Sequence, residues 1–182
     1  MRETTNRLCI GEPYSGKGAM TWAPWYPADV KRDPSILRTV PAFGGLTLET
    51  LDFILKLAQT RRVESGEYFC HEHEHGDSVF ILEEGEVEIF KSQGDREIHL
   101  RTLDVGACFG EMALIAVIPR SASVRATQHS AALQIKNSSL FKLYEHDLAQ
   151  FTMLVMNLAR EVCRRLYDTD QRLFELATRL DD

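Results

Sequence analysis

A chain of 182 residues with a formal net charge of −6 and no run of basic residues is long enough for one domain with a substantial core, and it argues against a nucleic-acid surface. No apolar stretch approaches the ~18 residues that a membrane span requires, and the polar start Met1-Arg2-Glu3-Thr4 is unlike a signal peptide. Paired spacing is absent from the four cysteines, which indicates a reduced, cytoplasmic setting.

The first part of the chain divides into an arm and two helices. Residues 1–33 have no helical or strand period, and we expect this aromatic-rich arm to be held against the domain by rings such as Trp22 and Trp25. From Pro34 the pattern becomes helical until Gly44-Gly45 interrupts it. Thr47 is predicted to cap a second helix. The apolar face of that helix consists of Leu48, Leu51, Ile54, Leu55 and Ala58.

Residues 61–136 have the pattern of β-strands. Apolar side chains alternate in 79–82 and again in 87–90, and Glu83-Glu84-Gly85 predicts the turn between these two strands. A second turn is predicted at residues 92–95. Many short strands at regular spacing favour a small roll or barrel.

Three histidines, His71, His73 and His75, alternate within this region. On a strand they would share one face, where imidazoles can bind Zn²⁺, Ni²⁺ or Cu²⁺. The sequence from His71 to His75 is also similar to the first metal-binding motif of the cupins, although the second cupin motif is missing from this chain. We therefore favour a solvated polar turn without a metal, and a metal-binding cupin-like barrel stays as an alternative.

The segment 109–124 has the pattern of a site for one small anion. It begins Phe109-Gly110-Glu111-Met112-Ala113 and ends Arg120-Ser121-Ala122-Ser123-Val124. The residues after Gly110 can form a single helical turn whose free N–H groups bind a phosphate. Arg120 supplies a planar fork for two phosphate oxygens. Because Glu111 would repel a phosphate, its expected role is to accept a hydrogen bond from a sugar hydroxyl; a structural ion pair with Arg120 is the alternative.

This order of residues resembles the phosphate-binding cassette of cyclic nucleotide-binding domains. Those domains occur in regulatory subunits of cAMP-dependent protein kinase, in the catabolite activator protein and in cyclic-nucleotide-gated channels. The residue sequence of the cassette in this chain is most similar to bacterial channel-type domains. The resemblance extends over roughly residues 35–170. It implies a mainly β fold with flanking helices: an eight-stranded β-roll with N-terminal helices, a phosphate-binding helical turn and a long C-terminal helix.

The resemblance also implies roles for individual residues. Glu111 would bind the ribose 2′-hydroxyl, Arg120 the cyclic phosphate, and the base would face an apolar wall. Ser121 could bond guanine, but similar serines occur in relatives that respond to cAMP, so cAMP is favoured over cGMP. The expected ligand-binding residues are Phe109, Gly110, Glu111, Met112, Ala113, Arg120, Ser121, Ala122, Leu82 and Val124. The loop Ala116-Val117-Ile118 departs from the family, and its exposed β-branched residues suggest a contact with the lid or another chain.

A long amphipathic helix is predicted from Asp147 to about Leu180, after a shorter helix capped by Asn137 or Ser138. Leu148, Phe151, Val155, Leu158 and Val162 form a heptad seam, and the step to Leu166 breaks its register. We expect 148–158 to pack on the core. A helix of ~50 Å must extend beyond strands of ~20 Å, so its remainder predicts a dimer interface or a ligand lid. The lid candidates are Leu166, Tyr167, Leu173 and Phe174.

The expected organisation is an arm (1–33), a cyclic nucleotide-binding β-roll with flanking helices (34–146) and a lid or dimerisation helix (147–182). The expected function is a stand-alone, cytoplasmic, non-enzymatic sensor of cAMP or cGMP that needs no cofactor or metal. Movement of its C-terminal helix would regulate an unidentified protein in trans, and the chain would form a homodimer. The alternatives are a degenerate fold that serves as a protein interaction module and the metal-binding barrel.

Overall fold

The computed structural model describes residues 34–94 and 96–181, and the predicted arm, residues 1–33, lies outside them. Within the described part the strands are β1 (Gln59–Val63), β2 (Tyr68–Cys70), β3 (Ser78–Glu84), β4 (Val87–Gln93), β5 (Arg96–Leu103), β6 (Cys108–Phe109), β7 (Ser123–Ala126) and β8 (Ser130–Lys136). The α-helices are α1 (Leu48–Leu57), α2 (Glu111–Ala116), α3 (Asn137–His146) and α4 (Leu148–Asp181). Two short 3-10 helices, Pro34–Thr39 and Pro41–Phe43, precede them.

The strands form two four-stranded antiparallel sheets. One has the order β1-β8-β3-β6 and the other the order β2-β7-β4-β5. The eight-stranded roll with flanking helices that the sequence predicted is therefore confirmed. The predicted turn at Glu83-Glu84-Gly85 is also confirmed, since β3 ends at Glu84 and Gly85 adopts a positive φ of 86°.

Strand β3 separates two apolar cores because its side chains alternate between its two faces. Val79 and Ile81 belong to the core that the helices share with the first sheet. Phe80 and Leu82 belong to the core between the two sheets. In this inner core the ring of Phe80 stacks on Phe109 with 5.1 Å between the centroids. The last residue of β6 is thereby fixed immediately before the predicted anion-binding turn.

The ends of the shorter helices test the capping predictions. The cap at Thr47 is confirmed, because the Thr50 backbone N–H donates to Thr47 Oγ1 at 3.2 Å. The predicted cap of α3 is wrong. That helix begins at Asn137 itself, and the preceding Lys136 makes no capping hydrogen bond with its side chain. The Asn137 N–H instead donates to the Asp77 carbonyl at 2.8 Å, so the chain before β3 satisfies the helix end.

Helix α4 has its predicted length, and the Gln150 N–H donates to Asp147 Oδ1 at 3.0 Å at its start. Its core contacts differ from the heptad prediction. Leu154 and Leu158 are buried and Phe151 packs partly buried against the same core, whereas Leu148 is exposed to solvent. The predicted overhang is confirmed, since apolar side chains are exposed along the last turns: Leu166, Leu173, Phe174, Leu176 and Leu180. No described helix is long and apolar enough to cross a membrane.

Candidate functional site

The helical turn α2 begins after a glycine that no other residue could replace without strain. Gly110 precedes α2 with a φ of 80°, in the left-handed region. A Cβ added there would lie 2.5 Å from Arg120 Nη1. Gly76 also lies close to the same arginine, since its added Cβ would lie 2.8 Å from Arg120 Nε. Two glycines therefore leave the space that the guanidinium occupies.

Gly110→Ala is expected to destabilise the protein by about 1–2 kcal/mol through the left-handed backbone alone and to displace Arg120 as well. Gly66→Ala is the matched control, because Gly66 has a φ of 86° and its added Cβ would meet nothing within 4 Å. Urea denaturation of both variants checks the expectation. If both variants lose the same unfolding free energy, the close approach of Gly110 to Arg120 does not contribute to stability.

Arg120 is a buried cation without an anionic partner among the described residues. Only 6% of its surface is exposed, and its Nη1 donates to the Gly110 carbonyl at 2.8 Å. Its guanidinium lies 5.5 Å from the centroid of the Phe80 ring. Since a buried charge is unfavourable unless it is paired, this arrangement favours an anionic ligand.

The backbone of Arg120 is held by the loop that contains the histidines. The His73 N–H donates to the Arg120 carbonyl and the Arg120 N–H donates to the Glu74 carbonyl, each at 2.8 Å. His71 stacks on Tyr68 at 4.2 Å between centroids, and the side chain of His73 is solvent-exposed. In residues 34–94 and 96–181, no three His, Cys, Asp or Glu side chains are grouped as metal ligands would be. The loop thus positions Arg120.

Glu111 is paired with helix α4 and not with Arg120. Its carboxylate is 2% exposed, and Oε1 lies 2.7 Å from Arg165 Nη1. Arg165 also donates to the Cys108 carbonyl and lies 3.2 Å from a carboxylate oxygen of Glu161. Burial raises the pKa of Glu111 although the Arg165 guanidinium opposes this shift. The alternative of a Glu111–Arg120 ion pair is therefore wrong.

These groups line a cavity of about 440 Å³ between the roll and α4. The expected ligand-binding residues on it are Phe109, Gly110, Glu111, Met112, Ala113, Arg120, Ser121, Ala122 and Val124. Leu82 does not line it, because its side chain points into the core between the sheets. Of the lid candidates, Leu166 lines the cavity, whereas Tyr167, Leu173 and Phe174 are exposed elsewhere on α4.

Other lining residues were missed by sequence reasoning: Cys70, Ile89, Lys91, Leu100, Arg101, Val162, Arg165 and Thr169. Strand parity could have indicated Ile89 and Lys91, which share a face of β4. Arg165 could have been indicated by its place on α4, where it is a polar residue next to the apolar stripe that faces the roll. The unusual Val117 has a φ of 54° and an 89% exposed side chain, so the suggested contact with the lid is not formed.

Residues 60–147 match the family model described as the cyclic nucleotide-binding domain. The chain carries a cyclic nucleotide-binding domain. The fold described above is that of its β-roll, which is a regulatory fold and not a catalytic one.

Similar proteins differ widely in length from this chain. The cGMP-dependent protein kinase of Plasmodium berghei is 34% identical over 62% of this chain and 13% of that kinase. The cyclic AMP receptor protein of Thermus thermophilus is 29% identical over 73% of this chain and 60% of that protein. The crystal structure of the catabolite activator protein of Thermus thermophilus has a TM-score of 0.66 at 29% identity, covering 75% of this chain and 63% of that one. The chain thus spans less than two thirds of these relatives.

Proposed function

We propose that this protein is a sensor that binds a purine 3′,5′-cyclic nucleotide in the cavity between the roll and α4. The observation that carries the proposal is the buried Arg120 guanidinium, which lines the cavity and has no carboxylate partner within the described part of the chain. A cyclic phosphate is the anion of matching size, and the planar guanidinium can bond two of its oxygens. The cavity volume of about 440 Å³ lies in the range of small-ligand sites.

The remaining walls suit the rest of such a ligand. Glu111 lies next to Gly110 in the same segment, and a carboxylate oxygen can accept a hydrogen bond from the ribose 2′-hydroxyl. The purine would then lie against an apolar wall. That wall consists of Ile89, Leu100, Val124, Val162 and Leu166. The names of the two curated relatives divide between cGMP and cAMP, so they do not rank the two ligands, and the preference for cAMP stays a prediction from the sequence.

Arg165 provides the coupling of ligand to helix. Its ion pair with Glu111 ties α4 to the residue proposed to hold the ribose. A ligand that binds Glu111 therefore makes different contacts in two states of the protein, one with α4 packed against the roll and one with α4 detached from it. That difference in free energy shifts the population of docked α4, which is the proposed signal.

The output is proposed to be a protein partner regulated in trans, with 34–146 as the sensor and 147–182 as the responding helix. A reducing compartment, the cytoplasm, is the proposed location, supported by free cysteines among the described residues, of which Cys163 is exposed. Catalysis is not part of the proposal.

Native mass spectrometry and calorimetric titration with cAMP and cGMP test the proposed ligand. Binding of either nucleotide with one site per chain is the expected result. A protein that binds neither nucleotide would favour the interaction-module alternative. Stoichiometric zinc or nickel in the purified protein would favour the metal-binding barrel.

A homodimer through α4 is the second part of the proposal. Beyond the roll, the exposed stripe Leu173, Leu176 and Leu180 has no apolar surface of the described domain to cover it. Light scattering is expected to give a mass above the 20.7 kDa of one chain at micromolar concentration. Leu173→Glu should restore the single-chain mass, whereas Gln171→Glu, which adds the same charge beside the stripe, should not. A single-chain mass at all concentrations contradicts the dimer.

A further inference from the structure

A second cavity, of about 460 Å³, lies next to the proposed nucleotide cavity and is lined by none of the residues of the anion-binding turn. Arg101, Arg165 and Thr169 line both cavities. The walls of the second cavity are the two 3-10 helices, the chain from β5 to β6 and one face of α4. Four arginines line it, and we call it the arginine cavity: Arg101, Arg164, Arg165 and Arg172.

Two cations of the arginine cavity have no anionic partner among the described residues. The side chains of Arg101 and Arg172 make no hydrogen bond or ion pair within the ranges 34–94 and 96–181. The other two arginines are engaged, because Arg164 and Arg165 both bind Glu161, at 2.6 Å and 3.2 Å. Since two guanidinium groups already bind the Glu161 carboxylate, it offers no site to a metal cation. The groups left with free donors are therefore both positively charged.

The electrostatic surroundings of Arg101 are predominantly positive. Burial lowers the pKa of Arg101, and the nearby charges of Arg165 and Arg172 lower it further. Glu111 and Asp168 act in the opposite direction, each less strongly than either arginine. An anion between Arg101 and Arg172 would relieve this repulsion, because like charges near each other in a partly buried site are unfavourable.

We propose that the arginine cavity binds a small anion with a phosphoryl group, held by Arg101 of the roll and Arg172 of α4. The planar guanidinium groups can each bond two phosphoryl oxygens. The carboxylates of Asp104 and Asp168 also line the cavity and would repel an anion, so an anion with a single charge is not expected to bind. The site is separate from the proposed nucleotide site, whose cation is Arg120. Because its two arginines belong to β5 and α4, the bound anion would join the helix to the roll.

Calorimetric titration with pyrophosphate at constant ionic strength tests the proposal. Pyrophosphate could also bind at Arg120, so the titration is carried out with Arg120→Ala as well as with the native protein. Both proteins are expected to bind pyrophosphate in the arginine cavity. Citrate is the control ligand, because it is a multiply charged anion that carries carboxylates in place of phosphoryl groups, and it should bind more weakly.

Arg172→Ala is expected to weaken pyrophosphate binding by at least about tenfold, because it removes charge-assisted hydrogen bonds. Arg172 is exposed on α4 and does not line the nucleotide cavity, so the variant should fold. Arg179→Ala is the matched control, since it removes the same charge from an exposed position in the last turn of α4 and should keep the native affinity. Pyrophosphate should also slow hydrogen exchange in the second half of α4 in the native protein and in Arg179→Ala, but not in Arg172→Ala.

Each contrary outcome has a separate meaning. If Arg120→Ala abolishes pyrophosphate binding, pyrophosphate binds only at the nucleotide site and the proposal is wrong. Native pyrophosphate affinity in Arg172→Ala also overturns it, as does an equal loss in Arg179→Ala, which would indicate attraction by net charge alone. Equal affinities for citrate and pyrophosphate would exclude a site for phosphoryl groups.

Discussion

Arg120→Ala is expected to lower the affinity for cyclic nucleotide by at least about tenfold to a hundredfold. The variant removes charge-assisted hydrogen bonds to the phosphate, each worth ~1.5–3 kcal/mol. The free protein should lose little stability, about 1 kcal/mol or less. The lost side chain donates a hydrogen bond to the Gly110 carbonyl and contacts Phe80, and its removal also ends the burial of a charge that has no anionic partner among the described residues. Calorimetric titration and urea denaturation of the same preparation check both expectations.

Two further variants sharpen the result for Arg120. Arg120→Lys keeps the charge but lacks the planar fork, so its affinity should fall between those of the native protein and Arg120→Ala. Arg96→Ala removes an exposed arginine at the start of β5 and should leave the affinity unchanged. Native affinity in Arg120→Ala would refute the assignment of the phosphate site. A large loss of stability with unchanged affinity would make Arg120 a structural residue.

Arg165→Ala is expected to lower both the stability and the nucleotide affinity, because it leaves the Glu111 carboxylate buried without a cation. Removing one partner of a buried ion pair costs about 3 kcal/mol or more. Glu111 is 2% exposed and the Arg165 side chain 14% exposed, so solvent screens this pair weakly. Without Arg165 the carboxyl favours its neutral form, a weaker acceptor for the ribose hydroxyl, and the affinity should fall by about fivefold or more.

Arg164→Ala is the matched control for this variant. Arg164 is the preceding residue of α4 and binds Glu161 at 2.6 Å, but its side chain is largely exposed. Its loss should change neither the stability nor the affinity measurably. Faster hydrogen exchange in the second half of α4 is expected for Arg165→Ala only. If exchange and affinity are native in Arg165→Ala, the ion pair does not couple the helix to the ligand site.

The stability loss of Arg165→Ala should depend on pH. Burial raises the pKa of Glu111 in the folded protein, and loss of Arg165 removes the charge that opposes this shift. A carboxyl whose pKa is higher in the folded state favours folding at acid pH, where it is protonated, and that contribution is lost as the pH rises through the folded-state pKa. The difference in unfolding free energy from the native protein should therefore be full at neutral pH and shrink towards the ordinary glutamate pKa of 4.5. A difference that is independent of pH would exclude Glu111 as its source.

Features that depend on neighbouring residues were predictable from the sequence. The cassette from Phe109 to Ala122, the cap at Thr47 and the turn at Gly85 each depend on contacts or backbone conformations within a short segment. The exposed end of α4 followed from length alone, because a helix of 34 residues extends past any strand of this fold. For α3 the same reasoning failed, since the partner of the Asn137 N–H is Asp77, which is distant in sequence.

The sequence by itself determined that this chain has a β-roll with an anion-binding segment at 109–122, because those residues act through local backbone geometry and their own side-chain chemistry. Only the tertiary structure decided that Glu111 pairs with Arg165, 54 positions away, and that Arg101 lines the same cavity without an ion pair to any described residue. Which charges become partners depends on how α4 packs against the two sheets. That packing results from apolar burial, which is not directional, so it leaves no pairing signal in the order of the residues.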